Sequence, residues 1–120
     1  MKEQPLQTVV ETPEFIKQAY RCMDKKLWDG FIDYIAKNPL MGDVMVGTGG
    51  ARKIRWSGHV NQGKSGGARI IYYYHDRSLP IFLFTAYGKN QRANLSQAES
   101  NALKSIIKQI IQAYGRENDE

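Results

Sequence analysis

Two stretches of this sequence set cationic side chains at the spacing of a β-strand. Arg52-Lys53-Ile54-Arg55-Trp56 alternates, so an extended chain turns Lys53 and Arg55 to one face and Ile54 and Trp56 to the other. In Arg69-Ile70-Ile71-Tyr72-Tyr73-Tyr74-His75 the same period groups Arg69 with Ile71, Tyr73 and His75. A common face would gather Lys53, Arg55, Arg69 and a tyrosine, and Tyr73 is expected to be the exposed ring. Neighbouring like charges on one face repel, so an anion that bridges them relieves a local cost. Tyr87 and Lys89 follow in Thr85-Ala86-Tyr87-Gly88-Lys89-Asn90, where the end of a strand is expected to lie at a sheet edge.

The anion is suggested by where the charge falls. The chain carries 17 basic and 12 acidic residues, a net +5. Between Gly47 and Leu95 stand Arg52, Lys53, Arg55, Lys64, Arg69, Arg77, Lys89 and Arg92 against one acid, Asp76; the remainder is slightly acidic. A chain polarised in this way offers a basic face to a polyanion, and nucleic acid is the commonest in cytoplasm. Tyrosine rings stack bases and arginine pins phosphates in bidentate fashion. Arg52, Lys64, Tyr73, His75 and Arg92 are therefore candidate RNA contacts, around a basic face that gathers Lys53, Arg55 and Arg69 and a strand end that carries Tyr87 and Lys89. No carboxylate pair lies in the basic segment, which disfavours hydrolysis by two carboxylates or two metals. The chemistry that fits is attack of an RNA 2′-hydroxyl on its own phosphate. Cations would stabilise the charge, and a lysine, tyrosine or histidine would handle protons.

Gly58-His59-Val60-Asn61-Gln62-Gly63-Lys64-Ser65 satisfies the phosphate-loop pattern G-x-x-x-x-G-K-S. Such a loop must open a helix, whereas Gly66-Gly67 and a β-branched, aromatic run follow here. A glycine-rich connection whose lysine reaches a phosphate is the better reading.

The elements that would position these groups are legible from caps and periodicity. Leu6 to Glu11 reads as a short edge strand. Thr12-Pro13-Glu14 starts a helix with Phe15, Ile16, Ala19 and Tyr20 on its apolar side. Asp24 caps a second helix, with Leu27, Trp28, Phe31, Ile32 and Ile35, that Asn38-Pro39 ends. A turn-rich segment from Leu40 to Gly50 leads into three strands, Ala51 to Trp56, Ala68 to His75 and Ile81 to Tyr87, the last two joined as a hairpin. Ser96 and Glu99 have capping-box spacing. The helix they open carries Leu103, Ile106, Ile107, Ile110, Ile111 and Tyr114, a stripe to be buried on the sheet or against another protein, with Gly115 at its end. The expected fold is α+β: two N-terminal helices, an antiparallel sheet of three to four strands and a C-terminal helix.

Composition narrows the classes further. At 120 residues the chain is sized for one domain, expected over 1–120. No apolar run is long enough for a membrane span, and Met1-Lys2-Glu3-Gln4-Pro5 lacks the apolar core of a signal peptide, so a cytoplasmic protein is expected. One cysteine, Cys22, and two histidines, His59 and His75, leave neither a disulfide framework nor zinc-ligand spacing. No metal or cofactor is expected.

Four blocks, in order, carry a family likeness: Asn38-Pro39-Leu40-Met41-Gly42-Asp43; Gly47-Thr48-Gly49-Gly50-Ala51-Arg52-Lys53-Ile54-Arg55; Gly66-Gly67-Ala68-Arg69-Ile70-Ile71-Tyr72-Tyr73; and Thr85-Ala86-Tyr87-Gly88-Lys89-Asn90. Together they resemble the RelE/HigB branch of the RelE/ParE toxin superfamily. The resemblance implies the toxin of a type II toxin–antitoxin pair, a ribosome-dependent endoribonuclease that cuts mRNA in the A site of the small ribosomal subunit. Its partners would be a cognate antitoxin, the ribosome and mRNA. It also implies working basic groups on the sheet, matched here by Lys53, Arg55 and Arg69. Some relatives use a tyrosine near the start of the last helix. Ala93-Asn94-Leu95-Ser96 has none, which leaves Tyr87, Lys89, His75 or the cations alone. An arginine that follows the Gly-Lys step in some relatives is Asn90 here, with Arg92 nearby. The superfamily includes ParE toxins that act on DNA gyrase, and a non-catalytic RNA- or ribosome-binding module is the third possibility.

Overall fold

The computed structural model describes residues 6–57, 67–88, 91 and 94–118. In chain order the elements are β1 (Val9–Glu11), α1 (Pro13–Cys22), α2 (Lys25–Lys37), β2 (Asp43–Val44), β3 (Arg52–Trp56), β4 (Ala68–Tyr73), β5 (Ile81–Gly88) and α3 (Gln97–Asn118). The fold is α+β, with the two N-terminal helices and the C-terminal helix where the sequence places them.

Each helix starts on the expected cap. The Thr12 hydroxyl accepts from the Phe15 amide at 3.2 Å and donates to the Leu83 carbonyl at 2.8 Å, so one side chain both opens α1 and fastens it to β5. Asp24 accepts from the Leu27 amide at 2.8 Å. Ser96 and Glu99 exchange side-chain to backbone bonds of 3.1 and 2.9 Å, a complete capping box. At its far end α3 runs through Gly115 to Asn118 and does not stop at the glycine. Glycine weakens a helix interior without forbidding it.

The sheet has five strands in the order β1-β5-β4-β3-β2. Only three to four antiparallel strands are expected from the sequence. The difference lies at the two edges. β1 pairs parallel with β5, because the chain leaves β1 directly into α1 and returns to the sheet from the far side. β2 adds two residues paired antiparallel to β3. The other pairings, β3 with β4 and β4 with β5, are antiparallel, with an irregularity between Ile71 and Tyr72.

Strand parity divides the core in two. On one face Ile54, Trp56, Ile70, Tyr72 and Leu83 pack with Phe15, Phe31 and Ile35 of α1 and α2. On the other, Ile71, Tyr73, Phe84 and Tyr87 pack with Leu103 and Ile107 of α3. The apolar stripe of α3 is thus only partly covered: Leu103 and Ile107 are buried, while Ile106 and Ile111 stay exposed. This second layer corrects the expectation for Tyr73, which is 6% exposed and not an open ring on a wet face. The sheet has no wholly wet face at that position, because α3 lies across it.

Candidate functional site

The cations are positioned from the opposite side of the strand. In β3, Ile54 and Trp56 are pulled into the α1/α2 core. The Trp56 indole N–H donates to the Leu27 carbonyl at 2.9 Å, and its ring lies against Phe31 and Tyr34. Parity then turns Lys53 and Arg55 to the α3 side. β4 is set by the glycine before it: Gly67 has φ +77°, and a Cβ there would lie 2.6 Å from the Trp56 carbonyl oxygen. This tight entry pairs Ala68 with Trp56 and hence Arg69 with Arg55.

The register brings three of the predicted residues into one row. Arg55 is directly opposite Arg69, and Arg69 is directly opposite Tyr87. The adjacent row on the same face runs Asp43, Lys53, Ile71 and Thr85. Arg55 is exposed, Lys53 and Arg69 are half-buried, and Tyr87 is 4% exposed. Two guanidiniums opposite one another across a strand pair repel. The Nη1 of Arg69 is buried without a hydrogen-bond acceptor among the described residues. A buried donor left in this state costs about 1–3 kcal/mol. Repulsion and an unmet donor meet at the same arginine, and an oxyanion placed in this row would relieve both.

Other predicted residues lie elsewhere. Arg52 is on the α1/α2 side, where its Nη1 donates to the carbonyls of Gly42 at 2.7 Å and Leu40 at 3.3 Å. Its cross-strand partner Tyr72 works on the same loop, donating to the Pro39 carbonyl and accepting from the Gly42 amide, both at 2.8 Å. Burial pushes the Tyr72 hydroxyl up to about 12. A Cβ on Gly42 would lie 2.7 Å from the Tyr72 ring, so the loop closes against the strand only as glycine. Arg52 is thereby a loop anchor, and the alternation that separates it from Lys53 and Arg55 is already visible in the sequence.

Tyr73 and His75 form their own pair, hydroxyl to Nδ1 at 2.9 Å, with His75 Nε2 3.7 Å from Asp76. His75 is six positions beyond Arg69 and past the end of β4 at Tyr73, up to roughly 20 Å away along an extended chain. His75 is therefore not in the cationic row. Tyr87 is in the row; β5 lies between β1 and β4, but β1 pairs only with Ile81, Phe82 and Leu83, so at Tyr87 the strand has a neighbour on the β4 side alone. Lys64, Lys89, Arg92 and the Gly58–Ser65 string lie outside the described residues.

A shallow cavity of about 320 Å³ opens beside Lys53, with Asp43, Met45, Val46, Asn94 and Leu95 among its lining. The sequence reading misses it, because it joins a two-residue strand to the approach of α3 and neither carries a periodic signal. Among the described residues no group of three or more His, Cys, Asp or Glu could hold a metal ion, and no helix is long and apolar enough to cross a membrane.

The family model of the RelE toxin of the RelE/RelB toxin–antitoxin system matches residues 19–118, a span that takes in every strand of the cationic rows and all of α3. The chain belongs to the RelE toxin family, the toxin side of a type II toxin–antitoxin pair.

Proposed function

We propose that this toxin is a ribosome-dependent endoribonuclease that cuts mRNA in the A site and so stops translation, with Lys53, Arg55 and Arg69 as the groups that act on the scissile phosphate. The observation that carries this reading is the direct pairing of Arg55 with Arg69, one row from Lys53, with an Arg69 donor lacking an acceptor.

Cleavage of this kind needs no metal. The RNA 2′-oxygen forms a bond to the neighbouring phosphorus and the bond from phosphorus to the 5′-oxygen breaks. The products are a 2′,3′-cyclic phosphate and a 5′-hydroxyl. One proton leaves the 2′-hydroxyl and one reaches the departing oxygen. As the pentacoordinate phosphorane forms, charge grows on its equatorial oxygens, where fixed guanidinium and ammonium donors have most effect. Arg55 and Arg69 can each offer two parallel N–H groups, and Lys53 a compact charge. Within the two rows, Asp43, Lys53 and Tyr87 are the groups able to move a proton, and His75 lies outside them.

The test uses a reconstituted translation reaction and naked mRNA in parallel, with 5′ ends mapped by primer extension. The expected result is cleavage at A-site codons in the presence of ribosomes only, lost in Lys53→Ala/Arg55→Ala. Uncut message in both reactions would refute the ribonuclease reading and turn attention to gyrase or to binding alone.

A further inference from the structure

We propose that the cavity between α1, α2 and the end of β1 binds an aliphatic polyamine, held by Tyr20, Trp28, Asp29 and Asp33. It lies on the α1/α2 side of the sheet, apart from the cationic rows, and the phosphate chemistry does not use it. Its volume of about 580 Å³ falls within the range of small-molecule sites, about 300–1,000 Å³.

Tyr20 and Trp28 meet with ring centroids 5.0 Å apart at 82°, and both line the cavity. The indole is fixed from two further sides: Phe15 stands edge-on to it from the core, and its N–H donates to the Glu11 carboxylate at 2.7 Å. Tyr20 is 76% exposed and is the one exposed aromatic among the described residues. Two nearly perpendicular rings at the wall of a cavity offer a cation their π faces.

The carboxylates set the charge and length of the ligand. Asp29 and Asp33 both line the cavity and stand one turn apart on α2, a spacing at which like charges repel. Lys25, one turn earlier, places an ammonium on Asp29 at 2.8 Å, so an alkylammonium fits this rim. An exposed pair of this kind is weak, and a ligand ammonium can replace it. Asp33 has no hydrogen bond or ion pair among the described residues. Two ammonium groups three or four methylenes apart span one helical turn, about 5 Å, and meet both carboxylates. The methylenes between them match Met23 and Ile32, the apolar part of the lining. A lysine of another protein would bring one ammonium only. A magnesium or calcium ion needs a shell of oxygens, which two rings and two aliphatic side chains do not supply. On a chain of net charge +5 the basic rows repel a polycation, which leaves this rim as the place for one.

The experiment titrates the purified toxin, free of nucleic acid and at low salt, with spermidine, following heat by calorimetry and tryptophan emission in parallel. Trp56 is 5% exposed in the core, so a change in emission reports on Trp28. The expected result is one spermidine per chain with a change in emission, and binding of n-butylamine, which has a single ammonium, about fivefold or more weaker. Asp33→Asn and Tyr20→Ala, both at exposed positions, should each weaken spermidine about two- to fivefold and together about tenfold. Tyr20→Phe keeps the ring and should bind as the wild type does. No binding by the wild type, or unchanged affinity in Tyr20→Ala/Asp33→Asn, overturns the site. So does an equal response to n-butylamine, or the same emission change from magnesium chloride at matched ionic strength, which would reduce the rim to a patch that attracts any counterion.

Discussion

Replacing Arg69 by methionine should make the protein more stable and less active. Methionine keeps the length and fills the space along β4, but removes the guanidinium. Two costs vanish with it. The buried Nη1 without an acceptor is worth about 1–3 kcal/mol, and the like charge directly opposite on Arg55 a further 0.2–1 kcal/mol. Taken together, unfolding free energy should rise by about 1–3 kcal/mol, discounted for the part of the side chain that solvent already reaches. For a chain of this size each kcal/mol raises Tm by about 4 °C. The charge contribution has its own signature. Salt screens the Arg55–Arg69 repulsion, so the advantage of the variant should shrink between low and high ionic strength, while the contribution from the buried donor persists. Cleavage on programmed ribosomes should fall on the order of 10²–10³-fold, the loss expected when one preorganised donor is taken from a developing oxyanion. Urea denaturation at two salt concentrations, paired with single-turnover cleavage, measures both effects. A variant that unfolds more easily than wild type, or one that cuts at the wild-type rate, would show that Arg69 is a structural arginine and that the row is not the reacting centre.

Other consequences follow from the same geometry. Tyr72→Phe removes the hydroxyl that serves both Gly42 and Pro39, and should cost about 2 kcal/mol in chemical denaturation. Because burial raises the Tyr72 hydroxyl to about 12, its contribution is fully present below pH 10 and is lost as pH rises toward 12. The alkaline fall in stability should accordingly be shallower in Tyr72→Phe, and equal falls would disprove the assignment. Gly67→Ala places a Cβ 2.6 Å from the Trp56 carbonyl at φ +77°, and should destabilise by more than about 2 kcal/mol with weaker cleavage; a wild-type melt would show that β4 does not depend on this entry. Ribosome affinity should fall steeply between 50 and 200 mM salt, as phosphate contacts require, and a flat response in a filter-binding titration would exclude them.

Much of this was legible because short-range rules decided it. The caps at Thr12, Asp24 and Ser96 are chosen by orphan amides three residues away, and the alternation in β3 fixes which side of the sheet Lys53 and Arg55 occupy. What escaped the sequence depends on distant parts of the chain. β1 is three residues long, and its parallel pairing is settled by where β5 lies. Tyr73 carries the same period as Arg69, but periodicity cannot say how far α3 extends over the strand. Leu103 and Ile107 cover Tyr73 and leave Arg55 exposed. Arg52 looked like its basic neighbours by type, and only its parity separated it from them.

The division of labour across the sheet explains how a strained cationic row persists in a small protein. One face carries the larger core, with Trp56, Tyr72 and Ile54 held by the first two helices. The side chains that repel project from the alternate positions of the same strands. Each cation that β3 turns to the α3 side is next in sequence to an apolar anchor: Lys53 to Ile54, and Arg55 to Ile54 and Trp56. Arg69 of β4 is flanked in the same way by Ala68 and Ile70. The stability that holds the strand is gained on one side, and the repulsion that favours an anion is held on the other, so removing a cation need not weaken the core. Arg52 and Tyr72 extend this logic to the β2 edge. Both project to the core side, where they fasten the 39–42 loop, and the residue that follows the loop, Asp43, pairs with Lys53 on the cationic side. A lesion in that anchor should therefore reach the cationic side through the pairing of Asp43 with Lys53.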